Sequence, residues 1–565
     1  MTAWVSRGLM LAIVLGTGAF AGTLAGCNPL SFIDELVQEA KEPRRLVTGC
    51  AVMAVDSMGE TIGGYAATGP VEVTILHTTD LHGQIEPVTD YGGNAGVGGI
   101  LQLGTVIQGR LKEHPGAILV DNGDMLQGTL ASYLDRGAAI QACMGALGLS
   151  MATIGNHEFD WGFAVLVTNL ARSPYDMLGA NIRWSAPVPT ACGRVRDFLV
   201  REVDGMRIAF IGITHPKVPY WSVDDLLCGT TVEQPAATLT RVMPVVRAGK
   251  PDAVVVLAHM GWMEEEHTVE PALGKAVRLF PDIDVVIGGH THCAVTNVVR
   301  GTTLFTQAAY HGIVLGEIVL EFDGQSRRLT AKRAELIPVG PGVAESAAIR
   351  GIAAEALQRA DRVATQELCM IKGVLGGRGT WSRESPPQTL ICEAIARATK
   401  AEIVFHGAFS SGWTVSNRMM TMRDLFIFVP FENLMVTMEL TPAEIGQTLE
   451  CLLDYWDSSS FAFPFGLKAE IALEAKPGSR VRSLRNRLGV LLDPAKRYRV
   501  AFNSYVAASG GMRYMTIRAL SGQVSSCTEV SRITTREAVA SFLQERRQYV
   551  PRVEQCIVRM PAASP

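Results

Sequence analysis

Five short stretches of the chain carry side chains that bind cations through oxygen or imidazole nitrogen. They are Asp80-Leu81-His82, Asp121-Asn122-Gly123-Asp124, Gly155-Asn156-His157-Glu158-Phe159-Asp160, Ala258-His259 and Gly289-His290-Thr291-His292. Donors of this kind suit zinc, manganese or iron, and an aspartate shared by two such ions lets them sit ~3.5–4 Å apart. Taken singly, each stretch says little, because an Asp-x-His spacing arises often by chance. Their common position says more. Each lies just past a short apolar run, and glycines beside Asp124, Asn156 and His290 permit the tight turns that would aim these ligands inward.

The runs themselves predict the scaffold. Val71 to His77, Ala117 to Val120, Ala152 to Ile154, Ile208 to Ile213, Ala253 to Leu257 and Val285 to Ile287 are rich in β-branched residues, and polar, glycine-containing turns and helical patterns follow them. Strands alternating with helices indicate an α/β domain on buried strands. In such sheets ligands bind beyond the carboxyl ends of the strands, so distant loops can meet there. A hairpin near Gly316 to Phe322 is expected to close the unit. His77, His114, His215, His267 and His311 are read as ordinary core or surface histidines.

Beyond this unit, Ala344 to Gln366 has apolar spacing suited to a helix that connects two domains. A second α/β or α+β unit follows, with helices over Gln388 to Lys400 and from Thr441 to Trp456, the latter opened by a Thr-Pro-Ala-Glu capping signal. The expected boundaries are 71–340, a linker over 341–367, 368–545 and a tail over 546–565.

At 565 residues the chain is long enough for two folded units. A net charge of -4 without a long basic run argues against nucleic-acid duplexes as partners. Residues 1–26 read as an export signal: Arg7 is followed by an apolar stretch, Leu9 to Gly22, too short to span comfortably as a mature membrane helix. Leu24-Ala25-Gly26-Cys27 resembles the lipobox of bacterial lipoproteins, which makes Cys27 the expected acylated residue and 27–70 a tether. The protein is accordingly expected outside the cytoplasm, periplasmic or at the cell surface, held to a membrane by lipid. With eleven cysteines and no CxxC pair, thiolate metal sites are not expected. Cys192 with Cys228 and Cys527 with Cys556 are candidate bridges, buried free thiols being the other reading.

Taken in order, Asp80-x-His82, Gly123-Asp124, Gly155-Asn156-His157-Glu158, His259 and Gly289-His290-x-His292 resemble the calcineurin-like metallophosphoesterases. Leu76 through Gly83 and Gly155 through Asp160 narrow the resemblance to the 5'-nucleotidase family, which also holds 2',3'-cyclic phosphodiesterases. The resemblance implies a four-layered metallophosphoesterase sandwich followed by a smaller α/β (α+β) substrate domain. It implies two divalent metal ions, one held by Asp80, His82, Asp124 and His292, the other by Asp124, Asn156, His259 and His290, with Asp124 bridging. It makes His157 and Asp160 the catalytic dyad, although Asp160 has the simpler reading of a cap on the next helix. Metal ions lower the pKa of water towards ~7, so the implied reaction is in-line attack on phosphorus by metal-bound hydroxide.

In the second unit Pro430-Phe431-Glu432-Asn433 and Asn503-Ser504-Tyr505 resemble the loops that stack on a nucleobase, which makes Phe431, Asn433 and Tyr505 expected substrate contacts. Arg378 or Arg383 is expected to meet a substrate carboxylate or phosphate. Two features depart from the nucleotidase pattern: His406 to Gly412 lacks an arginine, and Met512 stands where nucleotidases often have aspartate. The expected activity is hydrolysis of nucleotides. The alternatives are a 2',3'-cyclic-nucleotide phosphodiesterase with 3'-nucleotidase activity, a thiosulfate-ester hydrolase, and a non-catalytic nucleotide-binding surface lipoprotein.

Overall fold

The computed structural model describes residues 69–267, 270–376, 383–407 and 413–560. Cys27, Arg378, the expected export signal and all but the end of the expected tether lie outside the described residues.

The β-branched runs form strands close to where the pattern puts them: Pro70–Thr78, Ile118–Asp121, Met151–Thr153, Met206–Ile213, Ala253–Ala258 and Val285–Ile287. They divide between two sheets. Among the described residues, the first sheet has seven strands with Pro70–Thr78, Ile118–Asp121 and Met151–Thr153 adjacent and parallel at its centre. The second has six, with Met206–Ile213, Ala253–Ala258 and Val285–Ile287 side by side and parallel. Every residue of Ala253–Ala258 is buried, as expected of a parallel strand covered on both faces.

One face of each sheet packs on the other through Val73, Ile75, Val120, Phe210, Val255 and Val285. The outer face of the first sheet carries helices such as Gly99–Glu113 and Ala138–Ala146. Pro235–Ala248 and Leu273–Val277 cover the outer face of the second. The result is a four-layered α/β/β/α sandwich. The expected hairpin is present, Val314–Asp323 pairing antiparallel with Leu329–Pro338. His77 is buried against Gly316 of this hairpin, where a Cβ would lie 2.0 Å from the imidazole.

The helix expected as a linker spans Ala347–Ala364, capped by Ser346. It does more than connect. Ile349 and Ala353 are buried in the first domain's helical layer, so small residues on one face let the helix pack closely there.

The smaller second domain is built on a mixed sheet ordered Phe463–Phe465, Ile403–His406, Tyr498–Asn503, Leu434–Leu440, Glu529–Thr534. Its helices include Pro386–Thr399 and Pro442–Leu453, the latter opened by a reciprocal cap between Thr441 and Glu444. One expectation needs correction and one open alternative closes. The stretch expected as a tail contributes strands: Gln548–Tyr549 pairs with Glu367–Ile371, and Ile557–Arg559 pairs with Leu467–Ile471. Neither candidate disulfide forms, since Cys192, Cys228, Cys527 and Cys556 are all free thiols; Cys192 is buried whereas Cys228 is exposed, and Cys556 is buried whereas Cys527 is exposed.

Candidate metal centre

The five ligand stretches converge at the carboxyl ends of their strands. Asp80 and His82 follow Pro70–Thr78, Asp124 follows Ile118–Asp121, and Asn156 follows Met151–Thr153. His259 directly follows Ala253–Ala258, and His290 and His292 follow Val285–Ile287. Loop backbone brings them in. Asp80 N donates to Gly123 O at 2.9 Å and His82 N to Asp124 O at 2.8 Å. Glu158, itself buried, accepts from the amides of Asp124, Met125, Leu126 and Gly155, which ties two ligand loops together. Gly155 has no room for a side chain, since a Cβ would lie 2.3 Å from Asp124 Oδ1.

Asp80, His82, Asp124, His290 and His292 adopt left-handed backbone, with φ of 53°, 49°, 52°, 65° and 54°. For residues other than glycine this region is sparsely occupied, Asp and His entering it more readily than most. Five such residues around one point mark a site held against local backbone preference.

The donor atoms form two groups. In one, His82 Nε2 lies 3.0 Å from His292 Nε2, and Asp80 Oδ1 lies 3.5 Å from His292 Nε2 and 4.0 Å from His82 Nε2. In the other, His259 Nε2 is 3.0 Å from Asp124 Oδ2 and 3.1 Å from Asn156 Oδ1, which also lies 2.8 Å from His290 Nδ1. The remaining ring nitrogens are engaged elsewhere. His82 Nδ1 donates to Gln127 O at 3.0 Å and His259 Nδ1 to Asn122 O at 2.7 Å. His290 Nε2 lies 3.3 Å from Glu270 Oε1, and His292 Nδ1 lies 3.0 Å from Tyr91 Oη. Backbone acceptors thus fix the tautomers of His82 and His259, leaving their Nε2 lone pairs turned inward toward carboxylate oxygens. Lone pairs crowded in this way fit divalent cations, with the outward partners in the orienting role usual around metal-bound histidine.

Charge at the site agrees. Burial would raise Asp124, but His259 and His157 hold it well below the usual carboxylate range. Burial would lower His259, yet Asp124 and Asp80 lift it to about 10. A field this negative is what a divalent ion neutralises. Burial, followed by the neighbouring His157, presses His82 down to about 3, which leaves it neutral and able to ligate.

His157 stands beside this cluster. It belongs to a short 3₁₀ turn over His157–Phe159, in which residues three apart eclipse, so Asp160 comes onto the same face. Asp160 Oδ2 accepts from His157 Nδ1 at 2.7 Å. The next helix, Phe163–Arg172, begins at Gly162 with no side-chain cap, which disposes of the simpler reading of Asp160. Burial would lower His157, but the Asp160 and Asp124 carboxylates raise it to about 10.

The centre opens into a cavity of about 600 Å³ between the two domains, within the size range of small-molecule sites. Asn156, His157, Asp160 and His290 line it from the first domain; Phe431, Asn433 and Tyr505 line it from the second. The domains are joined beside it. Trp161 donates to Glu432, which Arg536 of the same domain as Glu432 holds at 3.2 Å, and Gly511 N donates to Tyr220 O at 2.9 Å. Arg383 is exposed and does not line the cavity; its neighbour Glu384 accepts from the amides of Cys556 and Ile557, so this segment anchors the last strand. His406 is buried, with Asn503 Nδ2 3.3 Å from its Nε2, and Gly407 lines the cavity.

Residues 73–294 match the family model for calcineurin-like phosphoesterases, and residues 367–518 match that for the 5'-nucleotidase C-terminal domain. The chain belongs to the 5'-nucleotidase family of calcineurin-like phosphoesterases. It is therefore a metal-dependent phosphoester hydrolase. It is 27% identical to rat 5'-nucleotidase over 354 residues, which cover 57% of this chain and 59% of that relative. It is 24% identical to the mouse 5'-nucleotidase over 79% of this chain and 84% of the relative. A 5'-nucleotidase precursor from Thermus thermophilus shares the fold, with a TM-score of 0.66 and 24% identity, covering 87% of this chain and 100% of that one.

Against this family frame, several neighbours of the site escaped the sequence. His215 and His311, read as ordinary histidines, abut the ligands: the His215 ring is 4.7 Å from that of His290, and the His311 ring 5.8 Å from that of His82. His215 lies just past Met206–Ile213 and obeys the same strand-end rule that marks the ligands. Trp221 stacks on His290 at 5.0 Å, and Tyr91 comes from the Gly-rich turn that includes Gly92 and Gly93. Neither carries a local signal.

Proposed function

We propose that this metallophosphoesterase is an exported 5'-nucleotidase-like enzyme that holds two divalent ions and hydrolyses nucleotides. The observation that carries the reading is the meeting of both donor groups with His157 at the foot of a cavity whose opposite wall includes Phe431 and Tyr505. One ion is assigned to Asp80, His82, Asp124 and His292 and the other to Asp124, Asn156, His259 and His290; zinc, manganese and iron all suit the donors. When bound, such ions supply Lewis acidity and a nucleophilic water at neutral pH.

The chain's own groups do the rest. Asp160 holds the proton on His157 Nδ1 and keeps the ring charged, so that Nε2–H can donate to a phosphoryl oxygen as negative charge gathers there. Phe431 and Tyr505 offer aromatic faces to a base, each stacked contact worth ~1–3 kcal/mol without strong base selection. Asn433 adds a polar contact.

Purified protein with manganese or zinc is expected to release phosphate from 5'-AMP, and a chelator to stop it reversibly. Comparing 5'-AMP, 3'-AMP, 2',3'-cyclic AMP and a thiosulfate conjugate decides the substrate. Preference for the cyclic ester would replace this reading with a cyclic phosphodiesterase, and turnover of none would reduce the protein to a binding role.

Export and membrane attachment rest on Leu24-Ala25-Gly26-Cys27. No helix among the described residues is long and apolar enough to cross a membrane. In a bacterial host the protein is expected to incorporate labelled palmitate and to stay with membranes, and Cys27→Ser to lose both. Equal labelling of the two proteins would remove the lipid anchor.

A further inference from the structure

On the second domain's side of the cavity, the chain turns after Ser509 through Gly510, Gly511 and Met512, all left-handed with φ of 55°, 72° and 75°. This turn delivers Arg513 to the cavity lining. Its Nη1 donates to Tyr505 Oη at 3.0 Å and to Gly510 O at 2.8 Å. Nε and Nη2 have no hydrogen-bond partner among the described residues, and none of the ion pairs there involves this guanidinium. Asp160 is the one carboxylate among the described lining residues, and His157 already occupies it.

A guanidinium is planar, always charged and can only donate. Here Nη1 is fixed to the protein, so the rest of the fork is pre-organised for a ligand, with no acid among the described lining residues free to satisfy it. We propose that Arg513 forms a specificity subsite for a paired-acceptor edge, two lone-pair atoms carrying no hydrogen, on the part of the substrate that meets Tyr505. The proposal rests on the nucleotide reading above. With Tyr505 against the base, O6 and N7 of a 6-oxopurine supply such an edge, and a second anionic group on the nucleotide supplies the same chemistry. Adenine does not, because its N6 amino group places a donor beside N7.

The test is kcat/KM for 5'-GMP, 5'-AMP and adenosine 3',5'-bisphosphate in wild type, Arg513→Met and Arg513→Lys, with metal content and thermal melting checked for each. Wild type is expected to prefer 5'-GMP over 5'-AMP by about tenfold or more, as a two-point guanidinium contact discriminates bases. Arg513→Met should bring the ratio near one, mainly through KM, and Arg513→Lys, which keeps charge without the fork, should fall between. If the bisphosphate is the favoured substrate and its advantage collapses in Arg513→Met, the acceptor pair is the second anion and the subsite stands. Ratios equal to one in wild type, or unmoved by Arg513→Met and Arg513→Lys, overturn it. Wild type that cleaves p-nitrophenyl phosphate but no nucleotide instead removes the nucleotide reading, a separate and recognisable failure.

Discussion

Asp124→Ala is expected to lower phosphatase turnover on the order of 10³-fold or more, since loss of metal Lewis acidity is worth several kcal/mol and each 1.36 kcal/mol is a factor of ten. The reason is position. Asp124 Oδ2 lies 3.0 Å from His259 Nε2 and 4.0 Å from His157 Nε2, and its Oδ1 accepts from His157 N at 2.8 Å. In the assignment proposed above it is the one ligand shared by both ions, and it also touches His157 of the proposed dyad. Elemental analysis of the purified variant should therefore show metal lost along with activity. A variant retaining two ions per chain and wild-type turnover would sink the bridging assignment.

His157→Ala should behave differently, and the contrast separates chemistry from metal binding. Removing a positioned proton-donating group costs ~10²–10⁴-fold in rate. Because His157 uses Nδ1 on Asp160 and is no assigned ligand, metal content should stay near that of wild type while kcat falls. Asp160→Asn should lower kcat less, since the amide can still hold the ring but no longer favours its charged form. Should His157→Ala lose its metal as fully as Asp124→Ala, the histidine would be a ligand and the dyad would dissolve.

Much of the candidate metal centre could be read from the sequence because its donors obey one local rule: each Asp, Asn or His lies just past the end of a short apolar strand, with a glycine beside Asp124, Asn156 and His290. The six marked runs of the first domain became strands within a residue or two of the pattern because parallel strands buried on both faces leave continuous apolar runs. What stayed hidden depends on tertiary packing. Glu270 lies on a loop, Trp221 beyond the short turn Val218–Tyr220, and Arg513 in the other domain; each reaches the site by chain path rather than periodicity. The C-terminal strands were invisible for another reason. Two or three residues, Gln548–Tyr549 and Ile557–Arg559, are too few to show alternation. The helix Ala347–Ala364 was legible as a helix, but its partner was not, since alanine faces announce close packing without saying against what.

The left-handed backbone at Asp80, His82, Asp124, His290 and His292 has an evolutionary reading. At each position glycine would relax the chain, so selection for folding alone pulls against selection for turnover. A descendant that no longer needed catalysis would be free to drift toward glycine at these positions and become sturdier as it did so. This chain carries acid or imidazole at every one of them, at a cost in backbone strain that glycine would not bear.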